Sequence, residues 1–389
     1  MGFLADIPLI GSALIYLVPF IFILTIIVFF HELGHFMVAR WCRVKIETFS
    51  VGFGKEIFGW FDRHGTRWKV CWIPLGGYVK FYGDSNESST PDNASLSQMS
   101  QADRQGSFHH KSLAQRSAIV VAGPMANFIL SIVIFGSMFF FYGQNVIAPE
   151  LGKVGTDTPA EIAGFQTGDL VKSIDGEEID TFSDIKRIVV TSGGDTLEFI
   201  VERQGSTLPI SVTPVLVKSV NRFGSEFTEV RIGVGPSENA RENLKHIDYN
   251  LPQAIGAGTE RTWFIVTSSM TFLGRIITGR ESADQLGGPV RIAQISGEVA
   301  QFGMLALINL AAILSVSIGL INLFPIPMLD GGHLLFYAFE AVRGKPLGER
   351  VQEMGFKLGL VFVLSLMVFA TWNDFEQLQL FKMFSNLFS

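Results

Sequence analysis

Long stretches without a charged side chain alternate with polar segments along this chain. Three of them, residues 7–30, 117–149 and 299–329, are longer than the roughly 20 residues of helix that cross a bilayer. A fourth stretch, 358–373, reaches this length only with its flanks, where Trp372 can anchor at the interface. No basic residue precedes the first stretch and no small-residue cleavage site follows it, which favours a retained span over a signal peptide. The pattern predicts four transmembrane helices.

Lysine and arginine indicate the orientation of these helices. The segment after the first stretch contains Arg40, Arg43, Lys45, Lys55, Arg63, Arg67, Lys69, Lys111 and Arg116. The segment between the last two stretches contains Arg343, Lys345, Arg350 and Lys357. Because basic loops stay in the cytoplasm, both chain ends and residues 150–298 are predicted on the outer side of the membrane.

The polar segments predict structure of their own. From Phe49 to Lys80, aromatic and β-branched residues interrupted by glycine predict β-hairpins, which beside a membrane span must be covered by protein or line a cavity. Residues 83–112 are rich in Ser, Asn, Asp and Gln and predict a flexible cytoplasmic loop. Residues 262–273 are uncharged but too short to span, which favours an interfacial helix.

Residues 150–217 predict a small mixed α/β module. Its expected elements are a helix at 159–164, a strand at 169–174, a helix at 181–190 and paired strands at 196–203 and 208–214. This order and the stretch TPAEIAGFQTGDLVKSIDGEEI resemble a PDZ domain of the circularly permuted bacterial kind. PDZ folds take an extended peptide as an added strand, and the alternative is a spacer that binds nothing.

The predicted fold is a polytopic α-helical membrane protein with a membrane-associated β-hairpin region and one extracytoplasmic PDZ-like α/β domain. Its segments are the first transmembrane helix (1–40), the hairpin region and flexible loop (41–116), the second transmembrane helix (117–149), the PDZ-like domain (150–217), an outer linker with the interfacial helix (218–298), the third transmembrane helix (299–333), a cytoplasmic loop (334–357) and the fourth transmembrane helix with the tail (358–389).

Composition agrees with a membrane protein. Apolar residues make up 48% of the chain and charged residues only 17%, below the roughly 25% of globular chains, and the mean hydropathy is +0.35. The net charge of −6 gives no reason to expect a nucleic-acid partner. Cys42 and Cys71, the only cysteines, can form neither a disulfide framework nor a zinc cage by themselves.

The motif His31-Glu32-Leu33-Gly34-His35 directly follows the first apolar stretch. On a helix, positions i and i+4 share a face, so both imidazoles can bind one zinc ion and Glu32 is left beside it to act as a base. A central carboxylate at membrane depth costs about 2.5–3.5 kcal/mol, which favours a functional role over a polar helix end that snorkels to the interface.

Catalytic zinc needs a third protein ligand, and the third apolar stretch ends on a candidate. Asp330 follows NLFPIPML and precedes Gly331-Gly332-His333, so prolines and glycines break the helix around it. If the first and third spans end on the same side, Asp330 lies at the depth of His31 and His35. His333 is a substitute ligand. Asn127 in the second span needs a polar partner, which can be the zinc site or plain helix packing.

At this point the chain resembles the site-2 protease family, specifically its bacterial RseP-type branch. The motifs are HELGH, GPMAN and NLFPIPMLDGGH in the three spans, with FSVGFG and PLGGYVKF between the first two, and they cover nearly the whole chain. The resemblance implies an intramembrane-cleaving zinc metalloendopeptidase with His31, His35 and Asp330 as Zn²⁺ ligands and Glu32 as base. It also implies that Asn127 and Asn322 lie beside the site and that Gly52 and Phe53 belong to a membrane hairpin that presents substrate.

The family further implies regulated intramembrane proteolysis in the bacterial inner membrane, with the PDZ-like domain on the periplasmic side. The expected partners are the lipid bilayer and single-span membrane proteins, such as an anti-sigma factor or signal-peptide remnants. One departure is that RseP-type proteins can carry two PDZ modules in tandem, whereas this sequence contains one. The competing classes are a PDZ scaffold with a degenerate site and a metal transporter, although transporters usually show internal repeats.

Overall fold

The computed structural model describes residues 8–84, 99–220, 226–237, 244–279, 283 and 286–377. The helices are α1 (Pro8–Trp41), α2 (Gln101–Gly106), α3 (Leu113–Tyr142), α4 (Pro159–Ala163), α5 (Phe182–Thr191), α6 (Leu251–Ile277), α7 (Pro289–Ala300), α8 (Met304–Asn322), α9 (Asp330–Arg343) and α10 (Glu349–Gln377). The strands are β1 (Ile46–Phe61), β2 (Arg67–Phe81), β3 (Gln144–Val146), β4 (Leu151–Val154), β5 (Leu170–Ile174), β6 (Glu177–Glu178), β7 (Leu197–Arg203), β8 (Ser206–Val212), β9 (Val215–Val220), β10 (Glu226–Arg231), β11 (Val234–Pro236) and β12 (Lys245–Ile247).

The chain divides into two compact units. Unit 1 is formed by the described parts of Met1–Gly136, Ile255–Val266 and Leu286–Ser389. Unit 2 is formed by the described parts of Ser137–Ala254 and Thr267–Gln285. The candidate metal ligands all belong to unit 1.

Four helices are long and apolar enough to cross a membrane, as predicted. They are Leu14–Trp41 of α1, Leu113–Tyr142 of α3, Met304–Asn322 of α8 and Arg350–Phe375 of α10. In the most apolar part of each helix, 11% to 39% of the residues are fully buried within the protein, and the others keep part of their surface accessible. The fourth span obtains its length from flanking helix that the uncharged run alone does not include.

The predicted third transmembrane segment, 299–333, is not one helix. The helix α8 ends at Asn322, and α9 begins at Asp330 after a turn that contains Pro325 and Pro327. Proline lacks a backbone N–H and disfavours helical conformation in the preceding residue, so the helix cannot continue through this segment. The predicted cytoplasmic loop 334–357 is largely helical as well. It contains most of α9 and the start of α10, and these helices carry most of the charged residues on which the loop prediction was based.

The hairpin predicted between the first two spans is present. Strands β1 and β2 form a two-stranded antiparallel sheet with several register irregularities between Val51 and Phe58. Its base packs in a core of Phe36, Phe49, Val79 and Phe81 with α1 and the first turns of α3. The hairpin is therefore attached to the end of α1 that carries His35.

The predicted flexible loop 83–112 is only partly a loop. Residues 85–98 lie outside the described residues. Beyond them, α2 is capped by Ser100, whose hydroxyl accepts from the backbone N–H of Asp103, and Phe108 is buried against Phe81. Cys42 and Cys71 are both free thiols.

Unit 2 contains the predicted α/β module. A four-stranded antiparallel sheet has the order β6-β5-β7-β8, and α4 and α5 pack with it around a core that includes Val171, Ile185 and Phe199. The turns follow the sequence signals, since Gly164 ends α4 with a φ of 92° and Gln204-Gly205 connects β7 to β8 with φ values of 51° and 80°. Four-stranded sheets with covering helices can fold around one core of this size.

The module extends beyond its predicted end at residue 217. Strand β11 pairs with β4, and Val230 and Ile232 are buried in the module core. This pairing joins residues about 80 positions apart, which a local pattern of hydrophobicity does not reveal. Similarly, the predicted interfacial helix 262–273 is part of the much longer α6. Charged residues bound the uncharged run on both sides, but the helix continues past them.

Candidate metal centre

One turn of α1 brings the two motif imidazoles together. The Nε2 atoms of His31 and His35 are 3.2 Å apart. The Asp330 carboxylate meets both of them, with Oδ2 3.1 Å from Nε2 of His31 and Oδ1 3.5 Å from Nε2 of His35. The ligating atoms of the three residues all lie within 4.8 Å of one another. The structure thus brings together the two histidines and the carboxylate that the sequence singled out.

The other ring nitrogens have partners that set the orientation of each imidazole. Nδ1 of His35 lies 2.8 Å from the carbonyl oxygen of Ile119 on α3, so it carries the proton and donates it there. Nδ1 of His31 lies 3.2 Å from the amide of Asn127. A histidine that binds a metal through Nε2 carries its proton on Nδ1 and donates it to an outer acceptor. His35 is oriented in this way.

Asn127 is fully buried and is held by two spans. Its backbone carbonyl accepts hydrogen bonds from Ser131 of α3 at 3.1 Å and Ser315 of α8 at 2.9 Å. Its side-chain oxygen has no hydrogen-bond partner, while the amide nitrogen faces His31. Since the two amide atoms exchange by a half-turn, the rotated amide gives the Nδ1–H of His31 an acceptor.

Small residues make room for the imidazoles. A Cβ atom on Gly123 of α3 would collide with the ring of His35 and lie 2.9 Å from Nε2 of His31. On α1, a Cβ atom on Gly34 would collide with the carbonyl of Ala122. The glycines of HELGH and GPMAN therefore allow α1 and α3 to approach closely at the site.

The turn between α8 and α9 delivers Asp330. Met328 has a φ of 92°, a strained conformation for a residue with a side chain, and Asp330 is the first residue of α9. Its carboxylate is thus favoured by the positive end of the helix dipole. Cβ atoms on Gly331 and Gly332 would collide with carbonyl groups of the preceding turn, so glycine is needed for this tight return of the chain.

Glu32 lies beside the imidazoles and faces the hairpin. Its carboxylate interacts with the backbone N–H of Val79 on β2. A Cβ atom on Gly77 would lie 3.3 Å from Cγ of Glu32 and 2.7 Å from the carbonyl oxygen of Ser50. Strand β2 thus approaches the glutamate at van der Waals distance.

The three ligands and Glu32 open into a cavity of about 990 Å³. Its walls come from α1, from the hairpin, from the end of α8 with the following turn, from the start of α9, and from α10. Asn322 and His333 line this cavity, and the His333 ring lies 5.2 Å from that of Phe356. His333 is outside the group of ligating atoms that meet at His31. The prediction that Asn322 lies beside the site agrees with this geometry.

The hairpin contributes to the cavity through residues of both strands. The wall is formed by Leu75, Gly76, Gly77, Tyr78 and Val79 of β2. Phe53 of β1 also lines the cavity and stacks on Tyr78 with ring centroids 6.1 Å apart, whereas Gly52 is not among the described lining residues. With a φ of 89°, Gly52 instead bends β1 against the carbonyl of Ile73. The resemblance places FSVGFG at the substrate, and most of the hairpin residues that line the cavity belong to the second motif, PLGGYVKF.

The donor set and its spacing fit a zinc ion. Zinc–ligand distances of about 2.0–2.1 Å in a tetrahedron separate neighbouring ligand atoms by about 3.3 Å. The observed separations of 3.1, 3.2 and 3.5 Å match this value. Oδ2 of Asp330 is buried and accepts no hydrogen bond, so a cation between it and the imidazoles would satisfy it.

Two imidazoles, one carboxylate and an adjacent glutamate, held between apolar helices, define a metal-dependent hydrolase of the membrane. The model of peptidase family M50 matches residues 19–366, which include all of these residues. The chain belongs to this site-2 protease family of zinc metalloproteases.

Relatives match over nearly the whole chain. A protein of Agrobacterium fabrum, whose name describes a candidate zinc metalloprotease, is 46% identical over 93% of this chain and 96% of its own length. The metalloprotease MmpA of Caulobacter vibrioides is 38% identical over 97% of this chain and 99% of its own length. The PDZ domain of an SdrC-like protein from Listeria monocytogenes is 18% identical and aligns with 24% of this chain and 90% of that domain, at a TM-score of 0.18. That score is too low to support a fold assignment.

Proposed function

We propose that this metalloprotease hydrolyses peptide bonds within the transmembrane segments of single-span membrane proteins, using zinc held by His31, His35 and Asp330. The observation that carries the proposal is the meeting of their ligating atoms, on apolar helices, with Glu32 beside them. The intact donor set argues against a degenerate scaffold. A transporter would not need a glutamate that is positioned next to the metal but outside the ligand group.

Each residue has a defined task in this proposal. Bound zinc would supply Lewis acidity toward a water molecule and a peptide carbonyl. The Glu32 carboxylate takes the proton from that water and later delivers it to the leaving amine. Asn127 and the Ile119 carbonyl keep the imidazoles oriented by accepting their Nδ1 protons.

The hairpin supplies a means of substrate binding. A peptide bond in a transmembrane helix is shielded by its own turn, and exposed amides in lipid cost several kcal/mol each unless they are paired. Residues 48–51 of β1 pair on one side with residues 67–70 of β2 and on the other side with residues 77–80, so residues 77–80 lie at an edge of the sheet whose outer side no described strand pairs. Because residues 75–79 of β2 line the catalytic cavity, we infer that an unwound substrate segment pairs with β2.

The wider biological role follows from the resemblance and the charge pattern. We infer a location in the bacterial inner membrane, with the α/β module of unit 2 acting as a PDZ-like domain on the periplasmic side. The substrates would be an anti-sigma factor or signal-peptide remnants. The basic residues that follow α1 and α9 support this orientation.

The test is cleavage by the purified protein in detergent, after removal of metal with a chelator and after addition of zinc. Two single-span substrates differ only at the centre of the span, where one carries Gly and Ser and the other carries Leu throughout. We expect zinc-dependent cleavage within the span of the first substrate and much slower cleavage of the second. Cleavage that persists in the metal-free protein would refute the proposed function, and equal rates for the two substrates would refute the unwinding step.

A further inference from the structure

A second cavity of unit 1, of about 770 Å³, lies where α1 ends and the hairpin begins. One wall is formed by the last turn of α1 and the residues after it, including Trp41, Arg43 and Lys45. The other wall is formed by the hairpin, including Trp60 and Asp62. It shares no described lining residue with the catalytic cavity. It is therefore a separate site, and it is large enough for a small organic ligand.

The cavity carries positive charge that the protein does not neutralise. Asp62 is the only carboxylate among its described lining residues, and its oxygens are occupied by Arg40 and by the backbone N–H groups of His64 and Thr66. Neither Arg43 nor Lys45 forms an ion pair with another residue in the described part of the chain. Nζ of Lys45 lies 4.4 Å from the ring centroid of Tyr82, a contact that leaves its charge in place.

One donor of the wall lacks a partner. Nε of Arg40 is buried without a hydrogen-bond acceptor, while its Nη2 donates to Asp62 and, at 2.9 Å, to Thr66. A buried guanidinium N–H without an acceptor costs free energy, and because this atom has almost no accessible surface it is not offered to a ligand in the cavity. An oxyanion in the cavity would compensate the charges of Arg43 and Lys45.

The border of the cavity is apolar and exposed. The side chains of Trp41, Trp60 and Phe61 are 74%, 46% and 65% exposed. Met37, one turn before Trp41 on the same face of α1, is 42% exposed and lies on the spanning helix. Tryptophan beside basic residues at the end of a transmembrane helix is typical of the membrane interface, where head groups meet acyl chains.

We propose that this cavity binds the head group of an anionic phospholipid. The phosphate accepts from Arg43 and Lys45, and an acyl chain follows Met37 and Trp41 along α1. Basic pockets at the membrane interface bind anionic lipid head groups by this combination of charge and apolar surface. A free phosphate would use the charges but not the exposed apolar border, so the lipid is the occupant that accounts for both.

The experiment measures lipid binding to the full-length protein in neutral detergent by native mass spectrometry. The probes are phosphatidylglycerol, phosphatidylcholine with the same acyl chains, and sn-glycerol 1-phosphate. The test variant is Arg43→Gln/Lys45→Gln. The control variant Arg343→Gln/Lys345→Gln removes two exposed basic residues at the end of α9 and in the turn after it, outside the cavity. A second measurement needs no variant. It compares how strongly phosphatidylglycerol and phosphatidylcholine with brominated acyl chains quench the tryptophan fluorescence of the wild type.

We expect saturable binding of one phosphatidylglycerol molecule and much weaker binding of the other two probes. Since each basic side chain at a membrane surface accounts for roughly a fivefold change, the test variant, which lacks two of them, should bind about 25-fold more weakly. The control should match the wild type, and the brominated lipid should quench fluorescence more than brominated phosphatidylcholine does. Equal binding of both lipids, equal effects of the two variants, or equally tight binding of glycerol phosphate would each overturn the proposal.

Discussion

At the scale of single residues, the site depends on glycines, which leave space for the ligands, as much as on the ligands themselves. The spacing of His31 and His35 predicts a shared helical face, and the position of Asp330 at the end of an apolar stretch predicts its depth. The close approach of α3 is different, because it depends on contact between distant segments. Gly123 lies directly against the ligating nitrogens, and nothing in its local sequence distinguishes it from a packing glycine.

The variant Gly123→Ala should lose most of its zinc and its activity, because the added methyl group occupies space held by the two imidazoles. Zinc per protein, measured by elemental analysis, checks this expectation together with cleavage of a single-span substrate. Gly256→Ala on α6 is the matched control, since a Cβ atom there meets no other atom within 4 Å. Full zinc content in Gly123→Ala would show that the helices separate easily and that close approach is not required.

Replacing Asn127 should weaken zinc binding without removing a ligand. The change to Ala deletes the acceptor for Nδ1–H of His31, and loss of such an outer partner typically lowers metal affinity by about 10–100-fold. Asn127→Asp keeps an acceptor oxygen and should retain more affinity than Asn127→Ala. Competition with a chelator measures both values. Identical affinity of Asn127→Ala and the wild type would mean that His31 is oriented by packing alone.

At the scale of elements, the sequence predicted those with strong local signals. These include the apolar spans, the hairpin, and in the α/β module both helices and the strands β5, β7 and β8. The short strands β4 and β6 were not predicted. The pairing of β11 with β4, and the position of PLGGYVKF along the cavity, depend on contacts between distant segments and were not predicted either. The break between α8 and α9 was visible in Pro325 and Pro327, but its length was not.

An ion pair closes the sheet of the α/β module and makes its stability depend on pH. The buried Asp169 carboxylate accepts from Nε of Arg203 at 2.6 Å and from Nη2 at 2.7 Å. Burial alone would raise the pKa of Asp169, but these bonds and the backbone N–H of Gln166 hold its pKa below the usual range. Since the folded-state pKa is depressed, this stabilisation is present above the unfolded pKa of about 3.9 and is lost as the pH falls below it.

Asp169→Asn should therefore destabilise the module at pH 7 by about 2 kcal/mol, the contribution of hydrogen bonds to a charged group. The difference from the wild type should shrink as the pH falls from 5 toward 3. Hydrogen exchange of the β5 and β7 amides in the full-length protein, corrected for intrinsic rates, measures the free energy of local unfolding. Asp180→Asn, an exposed position on the same module, should have no such effect. A difference that is constant from pH 7 to pH 3 would contradict the assignment.

At the scale of the whole molecule, the central question is which side of the membrane each segment occupies. The length and hydropathy of four helices indicate that they can cross the membrane. Their orientation is inferred separately, from the positive-inside rule. Reporter fusions after Arg67 and Gly348 should give a cytoplasmic signal, and fusions after Gly205 and at the C-terminus should give an outer one. A cytoplasmic signal after Gly205 would contradict the orientation and would separate the α/β module from any periplasmic ligand.

The most direct test of the central claim compares zinc content and cleavage in two variants, Glu32→Gln and Asp330→Ala, measured on the same preparations. Glu32→Gln removes the base but no ligand, so it should keep about one zinc per chain and lose cleavage of a single-span substrate. Asp330→Ala removes a ligand, so its zinc content and its activity should fall together. Wild-type activity in Glu32→Gln, or undiminished zinc in Asp330→Ala, would contradict the account.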